Sequence, residues 1–383
     1  MAAMPHMPRL QGPIAVYGAT GYTGRLVSAE LAKAGAEMVI SGRNRAKLDA
    51  LASRLEAEAT VTPATLDDPA GLRALLADCS VVIDCAGPFV RYGEPVLAAA
   101  VETRTHYLDT TGEQPYMKMA FERYGPRAAE AEVAVIPAMG FDFVPGDMIA
   151  SLTAHGFDEL DELSLHYCWR GFTPSQGTAR TTLEIVSDPG VEWRDGAWRK
   201  AGGGVGRGTF DFPSPIGRQR MMRYPAGEQV TVPQHISTRN VTTAINAGAF
   251  SSDLLARAFS AIMPPLGLAM RSGALRRAAG ALISRLPEGP SPEQRERMRW
   301  MIVCEARRGE VERRGVISGK DVYGLTAAAL CLGAMIAAGR DFQGRGALAP
   351  SQAFDPNDFL AALDRFDLRW NIEGVELPLP VEA

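Results

Sequence analysis

The sequence predicts an α/β protein: a doubly wound parallel sheet in its N-terminal part, a second α+β domain after it, and a C-terminal helix that returns to the first. Three observations lead there. Short apolar runs alternate with helical patterns from residue 14 to about 137, the mark of strands joined by crossover helices. The first run, Ile14 to Tyr17, meets three glycines spaced G-x-x-G-x-x-G at Gly18, Gly21 and Gly24. From Ala138 the alternation stops and hairpin-like runs take over, until Val322–Ala338 forms an apolar, Ala-rich helical stretch suited to burial on most sides. The expected divisions are a nucleotide-binding domain over 12–147, an α+β substrate domain over 148–320 and a C-terminal part over 321–383 that packs back on the first.

Taken in order, the glycine run opens a helix carrying Leu26, Val27 and Leu31. Met38–Ser41 reads as the second strand, followed by a helix with Leu48, Leu51 and Leu55 on one face. Thr60–Pro63 is a weaker third strand. Asp68-Pro69 pairs an N-cap with proline at the first helical position, ahead of Leu72, Leu75 and Leu76. Val81–Cys85 is apolar enough for a central parallel strand. His106–Asp109 and Val133–Ile136 supply the fifth and sixth, with helices over Pro95–Thr103 and Gln114–Ala131. In the second domain Leu163–Trp169, Val191–Lys200, Val230–Ile236 and Met301–Ala306 have strand character, and Asp195-Gly196 marks a hairpin turn. The glycines of 202–208 follow no strand and precede no helix, so they read as a loop, and Pro287–Pro292 reads as a linker.

Composition narrows the function. The chain has 383 residues, 46% of them apolar, and a formal charge of −4 with both signs mixed, which argues against nucleic acid as a partner. Five scattered cysteines in apolar surroundings read as reduced core thiols, and Met1–Gln11 lacks the apolar core of a secretory signal, so the expected location is cytoplasmic. The five histidines are isolated, without H-x-x-x-H, C-x-x-C or G-x-S-x-G, so neither a metal nor a nucleophilic triad is expected. None of the nine tyrosines has a lysine four residues on, which removes the Tyr-x-x-x-Lys pair of short-chain dehydrogenases.

The glycine run has the residue types a pyrophosphate needs: a tight turn, close backbone approach, and free N–H groups at the start of a helix. The expected cofactor-binding residues there are Gly18, Thr20, Gly21, Tyr22, Thr23 and Gly24. A Rossmann-type site then asks for a discriminating residue at the end of the second strand. NAD enzymes place a carboxylate there, whereas this chain has Ser41, Gly42 and Arg43. Arginine pairs with a 2′-phosphate that a carboxylate would repel, so the expected cofactor is NADP. Asp67 is placed to accept from the adenine amino group, or else to sit at a helix start beside Asp68. Cys85, Ala86, Gly87, Pro88 and Phe89 follow the fourth strand, where small residues admit the nicotinamide ribose.

These motifs together, with Gly140-Phe141-Asp142-Phe143-Val144-Pro145-Gly146-Asp147, resemble the saccharopine dehydrogenase-like oxidoreductase family, in the branch that includes trans-acting enoyl reductases. The likeness continues in Ser175–Thr178, Glu288–Arg297 and Tyr323–Thr326. It implies an NADP-type Rossmann domain, a second α/β domain and hydride transfer, with an activated C=C bond of a mainly apolar acyl-type substrate as the lead acceptor. An imine reductase or secondary-amine dehydrogenase is the alternative, and a non-catalytic NADP-binding sensor or scaffold a third. The candidate catalytic residues are Asp142 and Thr178, each with a structural alternative: Asp142 could cap the following turn, and Thr178 could start a helix.

Residues 253–286 stand apart from an amino-acid-adduct site, which should offer convergent cations. Ala258–Met270 is uncharged and apolar, with Pro264-Pro265 inside it and Arg257, Arg271, Arg276, Arg277 and Arg285 around it. It is too short to span a bilayer. It could cover an apolar substrate, lie on a membrane surface with its arginines toward headgroups, or form a buried helical hairpin. A homodimer is compatible with the sequence.

Overall fold

The computed structural model describes residues 10–141, 143–187, 190–201, 208–249 and 273–374. The chain divides into two compact units.

The first unit comprises the chain up to Thr111, Tyr116–Gly140 and Thr326–Leu348. Its strands are β1 (Ile14–Tyr17), β2 (Met38–Ser41), β3 (Ala59–Val61), β4 (Val81–Asp84), β5 (His106–Asp109) and β6 (Ala134–Ile136). Among the described residues they form a parallel sheet in the order β6-β5-β4-β1-β2-β3, extended beyond β6 by the short strand Gly346–Ala347. Strands β1, β2 and β4 are buried at every position, which is why they read as unbroken apolar runs. The order reverses between β1 and β4, so the sheet has its switch point there.

Two helices depart from expectation. The helix expected from Pro95 begins at Phe89 and runs to Thr103 with Pro95 inside it. Phe89, Gly93, Val96, Leu97 and Ala100 form one buried face across the proline, and their burial outweighs the one backbone bond it removes. The stretch expected as a single helix over Gln114–Ala131 is three pieces: Gln114–Met119, a π-turn at Ala120–Tyr124, and Gly125–Glu130. Pro126 has no N–H to give and its ring excludes a carbonyl, and the widened turn accommodates both.

The second unit comprises Gly112–Pro115, Phe141–Leu325 and the chain from Ala349 on. Its strands are β7 (Glu162–Arg170), β8 (Val191–Arg194), β9 (Ala197–Lys200), β10 (Gly208–Phe212), β11 (Gly217–Arg223), β12 (Val241–Asn246), β13 (Arg299–Arg308) and β14 (Val311–Lys320). With Gly346–Ala347 counted as β15, the last is β16 (Arg369–Ile372). A mixed sheet runs β10-β11-β12-β7-β13-β14-β16, with β12 and β7 parallel and the other neighbours antiparallel. Leu163, Leu165, Tyr167 and Trp169 alternate along β7 into its buried face. The β8–β9 hairpin closes over Asp195 and Gly196, both with positive φ (52° and 71°), as its two-residue turn requires.

Two expectations are corrected here, for Val230–Ile236 and for the segment 321–383. Val230–Ile236 is not a strand: Glu228–Thr231 is a helical turn continued by a 3-10 turn, Val232–Gln234. All four residues of the first turn are buried, which a strand with one face on the core does not produce, and Pro233 could not donate to a ladder. The Pro287–Pro292 linker is irregular as far as Ser291, as expected, and Ser291 and Gln294 then form a reciprocal capping box on the helix Pro292–Arg297. The segment 321–383 is divided. The helix Val322–Ala337 enters the first unit from Thr326, as does β15, whereas β16 pairs with the edge of β14 and keeps the described residues from Ala349 on in the second unit.

Among the described residues no helix is long and apolar enough to cross a membrane. Cys79, Cys168, Cys304 and Cys331 are buried free thiols, and Cys85 is partly exposed.

Candidate functional site

The site of the first unit is built from three turns at the carboxyl ends of β1, β2 and β4. The glycines of the first have distinct jobs. Gly18 takes a left-handed conformation (φ 74°), and a Cβ there would stand 3.1 Å from the backbone of Cys85 and Ala86, so the first and fourth turns abut. A Cβ on Gly24 would collide with the Gly18 carbonyl and the Ala19 backbone, so Gly24 lets the helix close onto the strand. Gly21 differs from both. Its backbone is extended (φ −71°, ψ 169°) and a Cβ would meet only the Gly18 carbonyl, at 3.2 Å.

Gly21 is the N-cap of the helix Tyr22–Lys33, and no side chain caps that helix. Elsewhere Asn44, Asp68, Ser291 and Asp355 cap the helices they precede. The helix at the glycine turn, like Phe89–Thr103 and Val144–Ala154, has no side-chain cap, and its start offers N–H groups and a positive dipole end to an anion, with no acidic residue in its first turn. Thr20, Tyr22 and Thr23 are partly exposed around it. Arg25, which sequence reasoning missed, donates from Nη1 to the Thr20 carbonyl at 2.7 Å and braces the turn.

At the end of β2, the Ser41 carbonyl accepts from Ala19 N–H at 3.1 Å, tying the second turn to the first, and the Ser41 side-chain oxygen is buried without a hydrogen-bond partner among the described residues. Gly42 is buried, and Arg43 is exposed with no hydrogen bond or ion pair among the described residues. Asp67 is exposed, its carboxyl below the ordinary value because the Thr65 hydroxyl and a backbone N–H donate to it; Asp68 is the residue that caps the helix, receiving Gly71 N–H at 2.9 Å.

At the end of β4, Cys85 N–H donates to the Tyr17 carbonyl at 2.9 Å and Ala86 N–H to Asp84 Oδ1 at 2.9 Å. Burial, then Asp84 and Asp109, push the Cys85 thiol well up, so it is no thiolate nucleophile. Ala86 and Gly87 keep surface, whereas Pro88 and Phe89 are buried. Phe89 turns into the core against Tyr116, ring centroids 5.5 Å apart, and has almost no surface left for a ligand.

In the second unit, Asp142 lies outside the described residues. Its neighbours Phe141 and Phe143 are buried, Phe141 against Trp300 (4.8 Å) and Trp169 (5.7 Å). Thr178 is in the first turn of the helix Gln176–Ser187 and within a hydroxyl cluster. Its oxygen lies 3.0 Å from both Ser175 Oγ and Tyr323 Oη, its N–H donates to Ser175 Oγ at 3.1 Å, and Ser175 N–H donates to Tyr323 Oη at 2.7 Å. A hydroxyl held on two sides at a helix start is positioned by its neighbours.

The structure also gathers a Ser-His-Asp group that spacing could not reveal. Asp147 Oδ1 lies 3.0 Å from His235 Nε2, and the Ser351 hydroxyl donates to Asp147 Oδ2 at 2.6 Å. Ser351 Oγ is also 3.2 Å from that same Nε2. Because carboxylate and serine meet one ring nitrogen and the serine proton goes to the carboxylate, no base activates the serine, and the group is a clamp rather than a relay.

Residues 14–136 match the family described as the saccharopine dehydrogenase NADP binding domain. The match takes in strands β1 to β6 of the first unit. The chain is similar to a trans-acting enoyl reductase of Mycobacterium bovis, 36% identical over 140 residues that cover 35% of this chain and 34% of that protein. It is similar also to a saccharopine dehydrogenase-like oxidoreductase of Bos taurus, 28% identical over 211 residues, 50% of this chain and 46% of the relative. The chain thus spans less than half the length of these curated relatives. Saccharopine dehydrogenase (L-Glu forming) of Saccharomyces cerevisiae shares the fold, with a TM-score of 0.61 over 95% of this chain and 100% of that one, at 13% identity. The matched residues include the helix start at the glycine turn, which has no side-chain cap, and Arg43, which has no hydrogen bond or ion pair among the described residues.

Proposed function

We propose that the chain is an NADPH-dependent reductase that delivers hydride to an electron-poor C=C bond of a mainly apolar acyl-type substrate. The observation that carries the reading is the exposed Arg43 at the end of β2, where an NAD site holds a carboxylate, beside a helix left uncapped for phosphate. When bound, the nicotinamide supplies the hydride. The chain's own residues hold the phosphates at Gly18–Gly24 and keep the turn after β4 small at Ala86 and Gly87. Asp142 is proposed as the polar group at the reacting centre, with Thr178 held ready by Ser175 and Tyr323. The C=C acceptor is supported by the name of the mycobacterial relative, trans-acting enoyl reductase.

The apolar substrate draws support from residues 253–286. Residues 250–272 lie outside the described chain. At its described end, Leu275, Leu282 and Leu286 are exposed, the first two on the helix Gly273–Ile283, seven positions apart and so on one face, with Arg277 and Arg285 also exposed. Gln176 Nε2 donates to the Leu286 carbonyl at 2.6 Å and Arg180 Nη2 to Ser284 Oγ at 3.0 Å, which ties this end to the helix that bears Thr178. The segment is proposed to cover the substrate and to rest on anionic lipid.

The test is NADPH consumption with a panel of α,β-unsaturated acyl esters, cyclic imines and no acceptor. Turnover with the unsaturated esters is expected. Turnover with imines alone would move the protein to the amine-forming class, and binding without turnover on either would leave a sensor or scaffold. Vesicles of anionic lipid should sediment the protein at low salt and lose it at high salt; no sedimentation at low salt removes the membrane contact.

A further inference from the structure

Asp84 and Asp109 are the last residues of β4 and β5, and they are register partners on adjacent parallel strands. Partners in a parallel ladder put their side chains on the same face, so the two carboxyls are neighbours. Both residues are fully buried. Asp84 Oδ1 accepts Ala86 N–H at 2.9 Å, and Tyr107 donates to Asp84 Oδ2 at 3.4 Å. Asp109 Oδ1 accepts N–H from Thr111 at 2.8 Å and from Ala138 at 2.9 Å. Below them the Tyr107 and Tyr116 hydroxyls are 2.8 Å apart.

Among the described residues, the pair's field reaches Tyr17 from β1, Cys85 after β4, Tyr107 on β5 and Tyr116 on the following helix; each is held protonated by burial and by the field of the carboxyls. Arg43 is a cation whose field reaches Tyr17. The groups that act on Asp84 itself are Asp109 and hydrogen bonds from Ala86 and Tyr107, with no cation among them. Two carboxylates side by side in a dry site do not both ionise. Burial first, then Asp109, holds the Asp84 carboxyl well above the ordinary range.

This pair sits directly beneath the site. Asp84 fixes the turn through Ala86, and Ala86 abuts Gly18 across the switch point. We propose that Asp84 and Asp109 are a proton-holding pair read by the charge of the bound nicotinamide: they share one proton while the ring is neutral and reduced, and release it to water when the ring is oxidised and cationic. The inference rests on the NADP(H) site proposed above. The step is an acid dissociation of the pair, one carboxylic acid giving one carboxylate and one proton, with no change of oxidation state in the protein.

The test is calorimetric titration of the full chain with NADP+ and with NADPH near neutral pH, in two buffers of different ionisation enthalpy. The two cofactors carry the same 2′-phosphate, so its own protonation cancels in the difference. NADP+ should release between roughly a half and one proton more than NADPH. The ratio of NADP+ to NADPH affinity should rise with pH, by up to about tenfold per unit where the pair titrates. Asp84→Asn and, independently, Asp109→Asn should abolish both the difference and the slope. Equal proton counts for the two cofactors in the native protein, or a difference that persists in a folded variant of either residue, overturns the pair while leaving the cofactor site intact. Failure to bind either cofactor overturns both.

Discussion

Asp147 and His235 meet at 3.0 Å, and the carboxylate has no exposure to solvent. Burial alone would raise the Asp147 pKa, but His235 and the hydroxyl and N–H of Ser351 outweigh it and hold the group below its usual value. Asp147→Asn should therefore cost the second unit about 3–5 kcal/mol, the range for breaking a buried pair, measured by denaturant unfolding. Because the folded value is depressed, this stabilisation is intact above the unfolded value of 3.8 and is lost as pH falls through the folded one. A neutral-pH loss under 1 kcal/mol would mean the clamp contributes like a surface pair.

Gly21 and Gly24 should respond oppositely to substitution. At Gly21 the backbone is one any residue adopts and a Cβ crowds only the Gly18 carbonyl, at 3.2 Å, so Gly21→Val lowers the thermal midpoint far less than a Cβ at Gly24 does and removes NADPH binding. At Gly24 a Cβ meets backbone on two sides, so Gly24→Ala costs about 1–3 kcal/mol of stability as overpacking. Native affinity in the valine variant would place the phosphates elsewhere.

Arg43→Asp should weaken NADPH binding by about 1–3 kcal/mol and bring NADH close to parity, as expected for a lost charge-assisted contact and a new repulsion. Titration of the native protein is the check: equal affinity for NADH and NADPH would deny Arg43 its role.

His106 and His166 should make stability fall in mild acid. Burial lowers both to about 4, and for His166 the Arg314 charge adds to it. His106 Nδ1 accepts the Ala134 N–H at 2.9 Å, which needs an unprotonated nitrogen. The unfolded chain takes up these protons first, so stability is undiminished above 6.5 and declines as pH drops toward 4. His106→Gln keeps an acceptor that does not titrate, and should flatten part of the slope of thermal midpoint against pH.

The parts of the chain that were legible are those where local sequence and burial agree. Apolar runs buried on both faces announced β1, β2 and β4, and Asp195-Gly196 announced its hairpin because its turn takes residues with positive φ. Residues 228–234 misled because Val230, Thr231 and Val232 are β-branched, while what decides their conformation is burial of a whole helical turn. In the site, glycine spacing located the phosphate turn but could not say which glycine touches backbone and which faces a ligand. Asp84 was hidden at the end of an apolar run, and its partner Asp109 is a strand away. Asp147, His235 and Ser351 are joined across intervals of 88 and 116 residues, which no spacing rule spans.

The late return of the chain at Thr326–Leu348 bears on how the protein is made. The parallel sheet of the first unit acquires its outermost strand, β15, only after some two hundred residues of the second unit have intervened. During synthesis β6 must leave the ribosome as an open edge, with its pairing groups exposed, and wait for Gly346 and Ala347. A nascent chain arrested before residue 346 therefore presents a template for pairing with another chain. The finished protein closes that hazard with a two-residue strand, and a fragment ending at Gly140, though it holds every glycine of the phosphate turn, would carry the hazard permanently.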